Sequence, residues 1–584
     1  MQAFGRMANP VTAGLWGLAR ANGAPIAPSD AARLGLPPTD SNRTAMGCDA
    51  QDPGLVGELS DSAGQTILTG WIADRTGLAV RLGMPVDAAP ATLARAALAR
   101  FGQDTPAEML GEWSLYHSEP GRSVWLMQAA TTRDRLFFAS RGAMLAFAPD
   151  AMALRQLDWV DGEPDPEMIG LSLGRYELRQ LIGARSIFRG IEKIPAGGSI
   201  RFAGDGSVQR GRAELLVPQS RFSGDTGDAL AALEETLRTA LRERLGMTGR
   251  AAVLLSGGLD SSLLAALASQ ELEDPPIALC SVAPRGSGIA DEFSDAKAVA
   301  DRHGIQIEPV CPGPEADPYR PAPQVLAGAE IPLLSNRHCL TNCFQDVARS
   351  MGASMLVNGS YGEMSVTARL PGPPTMRQRL GTVRRLVASK LRSEHHDFHV
   401  ALAPHRLAML SQRRAEAASM AGSIWLGPDQ TGYIPGSEKA LAQPNAFYAG
   451  ALRMDFPYRD LRLLRLYASL PREITYALGP DRGPARSIGK DLLPEAVRLR
   501  QRGMPADPGH YARLQAFAAP ARLRIAAFRA AGIDDWLDLR WLDQALAHVG
   551  QRGVDNVDDA NRVQLTALAA EYLTWARTGS GRYG

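Results

Sequence analysis

Residues Ala251–Ser262 read AAVLLSGGLDSS, a fully apolar run followed by two glycines, an aspartate and three serines. Ala251–Leu255 has the length and unbroken hydrophobicity of a strand buried on both faces. From Ser261 the chain continues SSLLAALASQEL, which reads as helix, so SGGLD is the turn at the strand's carboxyl end. Open α/β sheets bind ligands at that end. Gly257 and Gly258 allow backbone angles that expose successive N–H groups, and the start of the helix adds partial positive charge. Ser256, Ser261 and Ser262 supply hydroxyls, and the whole is a cradle suited to phosphate oxygens. Asp260 would repel a phosphate unless a divalent cation lay between them, and magnesium held by a carboxylate and substrate phosphates resolves the conflict. The loop lacks the G-x-x-x-x-G-K-[ST] spacing and its lysine, which argues against a P-loop enzyme.

The surrounding pattern places this turn in a parallel sheet. TGDALAALEETLRTALRERL (Thr226–Leu245) carries apolar residues at helical spacing, and the short apolar runs IALCSV, IQIEPV and SMLVNG alternate with helical segments. Upstream, GEWSLYHS, SVWLMQAA, RLFFAS, AMLAFAP and GGSIRFAGDGSVQRG predict layered β-structure with few helices. With 584 residues two or more domains are expected, and VPQSRFSGDTGD is the natural boundary, giving domains 1–216 and 225–584. Residues 370 to 440 hold Pro-rich and Arg-rich connections that fit neither pattern.

Lys+Arg is 63 against Asp+Glu 62, so no basic field exists to collect nucleic acid. No apolar run approaches the roughly 20 residues that cross a bilayer, and MQAFGRMANP lacks a secretory core, so a cytoplasmic protein with no membrane partner is expected. Cys48, Cys280, Cys311, Cys339 and Cys343 fit reduced thiols. His338, Cys339 and Cys343 in RHCLTNC raise the question of zinc, but without further ligands nearby they read as buried groups on a helix face. His395, His396 and His399 in EHHDFH read as a solvated loop or helix end.

VLLSGGLDSS resembles the pyrophosphate-binding loop of the N-type ATP pyrophosphatases, in the form carried by asparagine synthetases. The likeness continues in SIFRGIEKIPAGGSIRF, similar to the end of that family's glutaminase-like domain. It continues in LVNGSYGEMSVT at the second nucleotide-and-metal loop, in LRMDFPYRDLRLLRLYASLP around a P-F-L-D motif, and in RSIGKDLLPEAVRLRQRGMPAD as an R-x7-P stretch. It spans about residues 50 to 575. The implied fold is α/β: an N-terminal glutaminase-like αββα sandwich of the Ntn type, and a C-terminal parallel α/β ATP pyrophosphatase domain with helical additions.

The departures from the family carry as much weight. Glutamine-dependent members expose a cysteine at the processed terminus, whereas here Gln2 follows Met1, a start at Met7 would expose Ala8, and the next cysteine is Cys48. The N-terminal domain is therefore expected to lack a nucleophile, since without a terminal thiolate there is no acyl-enzyme and no released ammonia. The resemblance places Glu363 where a metal-binding aspartate usually stands, so Asp260 and Glu363 are the implied magnesium ligands. It places Ser360, with Tyr361 beside it, at a position active near the reaction centre. Four residues before Arg486, where a lysine is expected, stands Arg482, which stabilises negative charge but is no base. Lys490 is the alternative cation, equally readable as a surface residue. Leu254, Leu255, Val282 and Gly359 are implied to frame the adenine and ribose of ATP. Asp291 and Glu292 read either as site support or as a charge pair at a helix start, and Arg453, Asp455 and Asp460 either as site lining or as buried ion pairs.

An ATP-activating half beside an inactive glutaminase half implies an amine nucleophile other than ammonia. The resemblance then points to lasso-peptide cyclases, which join a peptide's N-terminal amine to an Asp or Glu side chain, with ATP and Mg2+ as cofactors. A precursor peptide, a leader-binding protein and a leader peptidase are the implied partners. β-Lactam or carbapenam synthetases and an ammonia-dependent asparagine synthetase are the competing members.

Overall fold

The computed structural model describes residues 15–20, 26–34, 44–48, 56–119, 121–131, 135–215, 220–247, 249–327, 329–370, 398–413, 416, 452–501, 503 and 506–578. These fall into two compact units: the residues up to Ile169 with Ile182–Leu215, and Gly170–Leu181 with those from Leu216 onward.

The first unit is built from antiparallel strands: β1 (Leu15–Arg20), β2 (Thr44–Cys48), β3 (Val56–Asp61), β4 (Gly64–Ile72), β5 (Gly111–Glu119), β6 (Ser123–Gln128), β7 (Phe137–Arg141), β8 (Met144–Ala148), β9 (Glu192–Lys193), β10 (Gly198–Ala203) and β11 (Val208–Arg212). They form two sheets, β2-β1-β8-β7-β9 and β11-β10-β6-β5-β4-β3. Both faces of the six-stranded sheet are covered along its central strands β10, β6, β5 and β4, while the edge strands β3 and β11 are largely exposed. Ile67, Tyr116, Leu126 and Ile200 meet Leu15, Phe138, Leu145 and Phe147 of the other sheet, with the Tyr116 and Phe147 rings stacked at 5.5 Å. Leu68, Leu115 and Met127, one residue along each strand, turn to the opposite face and pack on Leu78, Leu93 and Leu98 of the helices Arg75–Leu82 and Pro90–Phe101.

The second unit contains a parallel sheet of β12 (Ala251–Leu254), β13 (Ile277–Ser281), β14 (Ile307–Val310), β15 (Met355–Val357) and β16 (Arg453–Asp455), in the order β14-β13-β12-β15-β16. From β12 the chain lays down β13 and β14 on one side, then crosses to lay down β15 and β16 on the other. The reversal opens a crevice at the carboxyl ends of β12 and β15. The Thr226–Leu245 helix buries Ala229, Leu233, Leu237, Leu241 and Leu245 along one stripe, and Asp225 and Asp228 close its start as a reciprocal capping box. The Leu259–Glu271 helix is buried almost all round, from Leu263 to Ala268. C-terminal helices, among them His510–Leu523, Leu539–Arg552 and Val557–Thr578, complete the unit. They are tied in by Tyr319 Oη donating to the Leu514 carbonyl at 3.0 Å and Gln564 Nε2 donating to the Pro318 carbonyl at 2.8 Å. Among the described residues no helix is long and apolar enough to cross a membrane.

Candidate active site

The turn after β12 is shaped by contacts that its residue types require. Gly257 has φ +74°, and a Cβ there would lie 2.9 Å from the Glu292 carbonyl oxygen, so the position demands glycine both for its backbone and for its space. Ser261 Oγ accepts from the Ser256 amide at 3.1 Å, lies 3.0 Å from Ser256 Oγ and donates to the Gly258 carbonyl at 3.2 Å. It is a brace inside the loop. Ser256 is exposed, and Ser262 is buried with a hydroxyl that finds no partner. No side chain caps the Leu259–Glu271 helix, leaving its positive end open toward the crevice.

Asp260 stands on the first turn of that helix. Its Oδ1 is buried without a hydrogen bond, as are the hydroxyls of Thr367, Ser365 and Ser262. Burial pushes the carboxyl above its ordinary range, and the Thr367 hydroxyl and the Arg482 and Arg369 charges counter it in part. Thr367 thus faces the carboxylate without closing a well-formed bond. The loop after β15 lies directly over this turn: a Cβ on Gly359 would be 3.0 Å from the Ser261 backbone, and one on Gly362 would be 2.6 Å from Thr367 Oγ1 and 3.2 Å from Asp260 Oδ1. Tyr458, whose ring also lies against Gly362, donates from its Oη to the Asp260 carbonyl at 3.0 Å. Its phenol is held well above its usual range by burial and by the Asp260 charge, so it stays a donor.

Buried orphan oxygens are rare in folded proteins. Four of them on two touching segments, with Glu363 exposed in the turn beside Gly362, form a hard-oxygen set that suits magnesium. Among the described residues no three His, Cys, Asp or Glu side chains converge as a metal site.

Arg482 precedes the Gly483–Ile488 helix with φ +57°, and its amide donates to the Ala368 carbonyl at 3.0 Å. Leu370 N to Pro480 O and Ala485 N to Val366 O continue the pairing of the two segments. Arg369, which no sequence motif picked out, enters the site from this pairing. It is fixed by Asp481 at 3.2 Å and by the Gln501 carbonyl at 3.0 Å. Lys490 is exposed beyond the helix and makes no side-chain bond among the described residues. Ser360 is exposed, its amide and hydroxyl both donating to Asn358 Oδ1, and Tyr361 holds φ +76°. Leu254 and Val282 are half-buried at the ends of β12 and β13, whereas Leu255 lies in the core with its amide bonded to the Leu279 carbonyl.

The acidic pairs resolve as architecture. Asp291 accepts from the Ala283 and Phe293 amides, and Glu292 pairs with Arg500 at 2.7 Å. Arg244 bridges Asp455 and Asp460, both at 2.8 Å; Arg453 also meets Asp455, and Arg462 links Asp460 to Glu243. Burial alone would push Asp455 and Asp460 up, but the guanidiniums outweigh it and hold both below the usual carboxylate range. This buried network fixes the 3-10 turn Pro457–Arg459 and with it Tyr458. His338, Cys339 and Cys343 lie on the His338–Ser350 helix, where the His338 ring contacts the Pro318 carbonyl and burial pushes the Cys339 thiol up to about 12. His395 and His396 lie outside the described residues.

Residues 232–363, which carry the β12 turn and the loop after β15, match the family model described as asparagine synthase. A domain of that family makes the chain an enzyme, an ATP-dependent carbon–nitrogen ligase. No curated protein matches the sequence. Among solved structures, the chain is similar to a glutamine phosphoribosylpyrophosphate amidotransferase from B. subtilis complexed with ADP and GMP, at 11% identity, covering 60% of this chain and 76% of that one with a TM-score of 0.22. A second, described as the allosteric regulatory enzyme of purine biosynthesis, matches at 10% identity over 65% of this chain and 73% of that one, with a TM-score of 0.21. Scores this low leave the fold to be read from the chain itself.

Proposed function

We propose that this ligase is a lasso-peptide cyclase, which adenylates an Asp or Glu side-chain carboxylate of a precursor peptide and joins it to the peptide's N-terminal amine. The observation that carries the ATP chemistry is Asp260, half-buried at an open helix start with one carboxylate oxygen, Oδ1, buried and without a hydrogen bond. In this reading the Gly257 and Gly258 amides and the Ser256 hydroxyl hold the departing pyrophosphate, and Asp260 with Glu363 would hold magnesium. When bound, the cation neutralises phosphate charge. Arg482 and Arg369, both acting on Asp260, stabilise the charge that builds as the carboxylate attacks the α-phosphorus. The products of that step are an acyl-adenylate and pyrophosphate, and the peptide amine then displaces AMP. Ser360 and Tyr361 border the same opening from the β15 side, where the loop NGSYGEM and Arg482 depart from the asparagine-forming members and favour a peptide substrate. Residues 1–216 serve as the glutaminase-like part and 225–584 as the amide-forming part, acting beside a leader-binding protein and a leader peptidase.

Mass spectrometry tests this with the protein, ATP, magnesium, the short precursor peptide encoded beside its gene and the neighbouring peptidase. Loss of one water from the core peptide together with AMP release is expected, and neither with Asp260→Ala. A peptide that is cleaved but never dehydrated, while aspartate with ammonium or a small amino acid drives AMP formation, would replace the cyclase with one of the competing ligases.

A further inference from the structure

Four arginines of the chain are buried below a tenth of their surface among the described residues: Arg244, Arg453, Arg459 and Arg513. Three of them meet an aspartate, Arg244 and Arg453 on Asp455 and Arg513 on Asp507. Arg459 meets none. It is 1% exposed, its Nε and Nη2 have no acceptor, and its guanidinium faces only the Tyr361 ring at 5.5 Å and the Phe456 ring at 5.8 Å. Cation–π contacts return only part of what it takes to strip water from a charge. A fork of buried donors without an anion is an incomplete ion pair.

Its place in the sheet says which anion completes it. The crevice is crossed in the order β12, β15, β16. The turn after β12 has the phosphate cradle, the loop after β15 carries Tyr361 between Gly359 and Gly362, and the turn after β16 ends in Arg459. Arg459 therefore lies across the Tyr361 loop from the phosphate site, yet its neighbour Tyr458 touches Asp260. A planar guanidinium matches a carboxylate with two parallel bonds. It also stands at the third place of Pro457–Asp460, the stretch that resembles the P-F-L-D motif, where that motif has leucine.

We propose that Arg459 receives the substrate carboxylate that the enzyme activates, holding it on the β16 side of Asp260 for attack on ATP. The assignment rests on the amide-ligase reading and applies to any acyl substrate bearing a free carboxylate. Its binding partner enters past Tyr361, which is only half-buried.

The test uses the full chain with a non-hydrolysable ATP analogue and N-acetylglutamate α-amide, a probe with a single side-chain carboxylate, followed by calorimetry. Wild type is expected to bind the probe and to ignore its glutamine counterpart. Arg459→Leu is expected to weaken probe binding roughly 10- to 100-fold, to bind the nucleotide as wild type does, and to melt no lower than wild type, because leucine removes an uncompensated buried charge. Arg459→Lys should fall between the two, retaining charge without the fork. Equal probe binding by Arg459→Leu, no probe binding by wild type, loss of nucleotide affinity in the variant, or a large drop in its melting temperature would each overturn the assignment. If no cyclic peptide ever forms but Arg459 still governs probe binding, the cyclase reading falls and the carboxylate site stands.

Discussion

Asp260 shows how a single residue trades stability for chemistry. Its carboxyl is raised by burial, so the folded chain binds a proton more tightly than the unfolded one. Stability therefore falls as pH rises through the interval between the ordinary aspartate value and the raised one, and the penalty is complete once pH has passed the raised value. Asp260→Asn is expected to melt above wild type at pH 7 without nucleotide and at the same temperature in acid, while losing more than about 100-fold in AMP formation. Equal melting at neutral pH would remove burial as the cause. Gly257 makes the complementary case: Gly257→Ala forces a left-handed backbone on a Cβ residue and crowds the Glu292 carbonyl, costing roughly 1–2 kcal/mol and weakening ATP binding, as denaturant titration and calorimetry will read. Both residues were legible in the sequence, because their roles are local to one turn. Thr367, Arg369, Tyr458 and Arg459 were not. Each reaches the site through a contact with a distant segment, as when Tyr458 finds the Asp260 carbonyl 198 positions away, and no spacing rule encodes such a meeting.

At the level of elements, the strand runs named from sequence all appear as strands, since a short apolar run bounded by Gly and polar residues has few other folds. Thr226–Leu245 forms over the span its periodicity predicts. What periodicity cannot show is how that helix is anchored. Arg244 occupies an ordinary helical position in sequence, yet in the fold it joins β16 to the turn that follows by bridging Asp455 and Asp460. Arg244→Met takes from Asp455 and Asp460 the guanidinium they share, leaving each with a single partner, Arg453 and Arg462, and is expected to destabilise by about 2–3 kcal/mol, measured by urea unfolding. In wild type both acids are held low, so their contribution is present above the ordinary aspartate value and lost as pH falls below it. In Arg244→Met the deficit should be largest at neutral pH and shrink on acidification, when the two under-compensated acids take up protons. A deficit independent of pH would show that packing, not charge, was lost.

The whole molecule combines an antiparallel two-sheet unit with a parallel α/β unit, each with its own core. The change in texture near residue 216 is visible in sequence because runs of strands joined by turns give way to strands that alternate with helices. Burial pushes the Cys280 and Cys339 thiols up to about 12, and raises Cys311 and Cys343. In the native protein at pH 8 these four should react with iodoacetamide far more slowly than after unfolding, with Cys280 and Cys339 the slowest; rapid native labelling of either would contradict their packing.

Tyr458 carries a last consequence. Its hydroxyl holds the Asp260 carbonyl, while its ring and the Asp260 carboxylate both lie against Gly362, so the main chain that carries the carboxylate is fixed at the start of its helix. In the proposed function, a carboxylate on a fixed main chain would suit the short bonds and six partners of magnesium or manganese better than the longer, more numerous bonds of calcium. Discrimination between ions would then rest on a tyrosine that need never touch one.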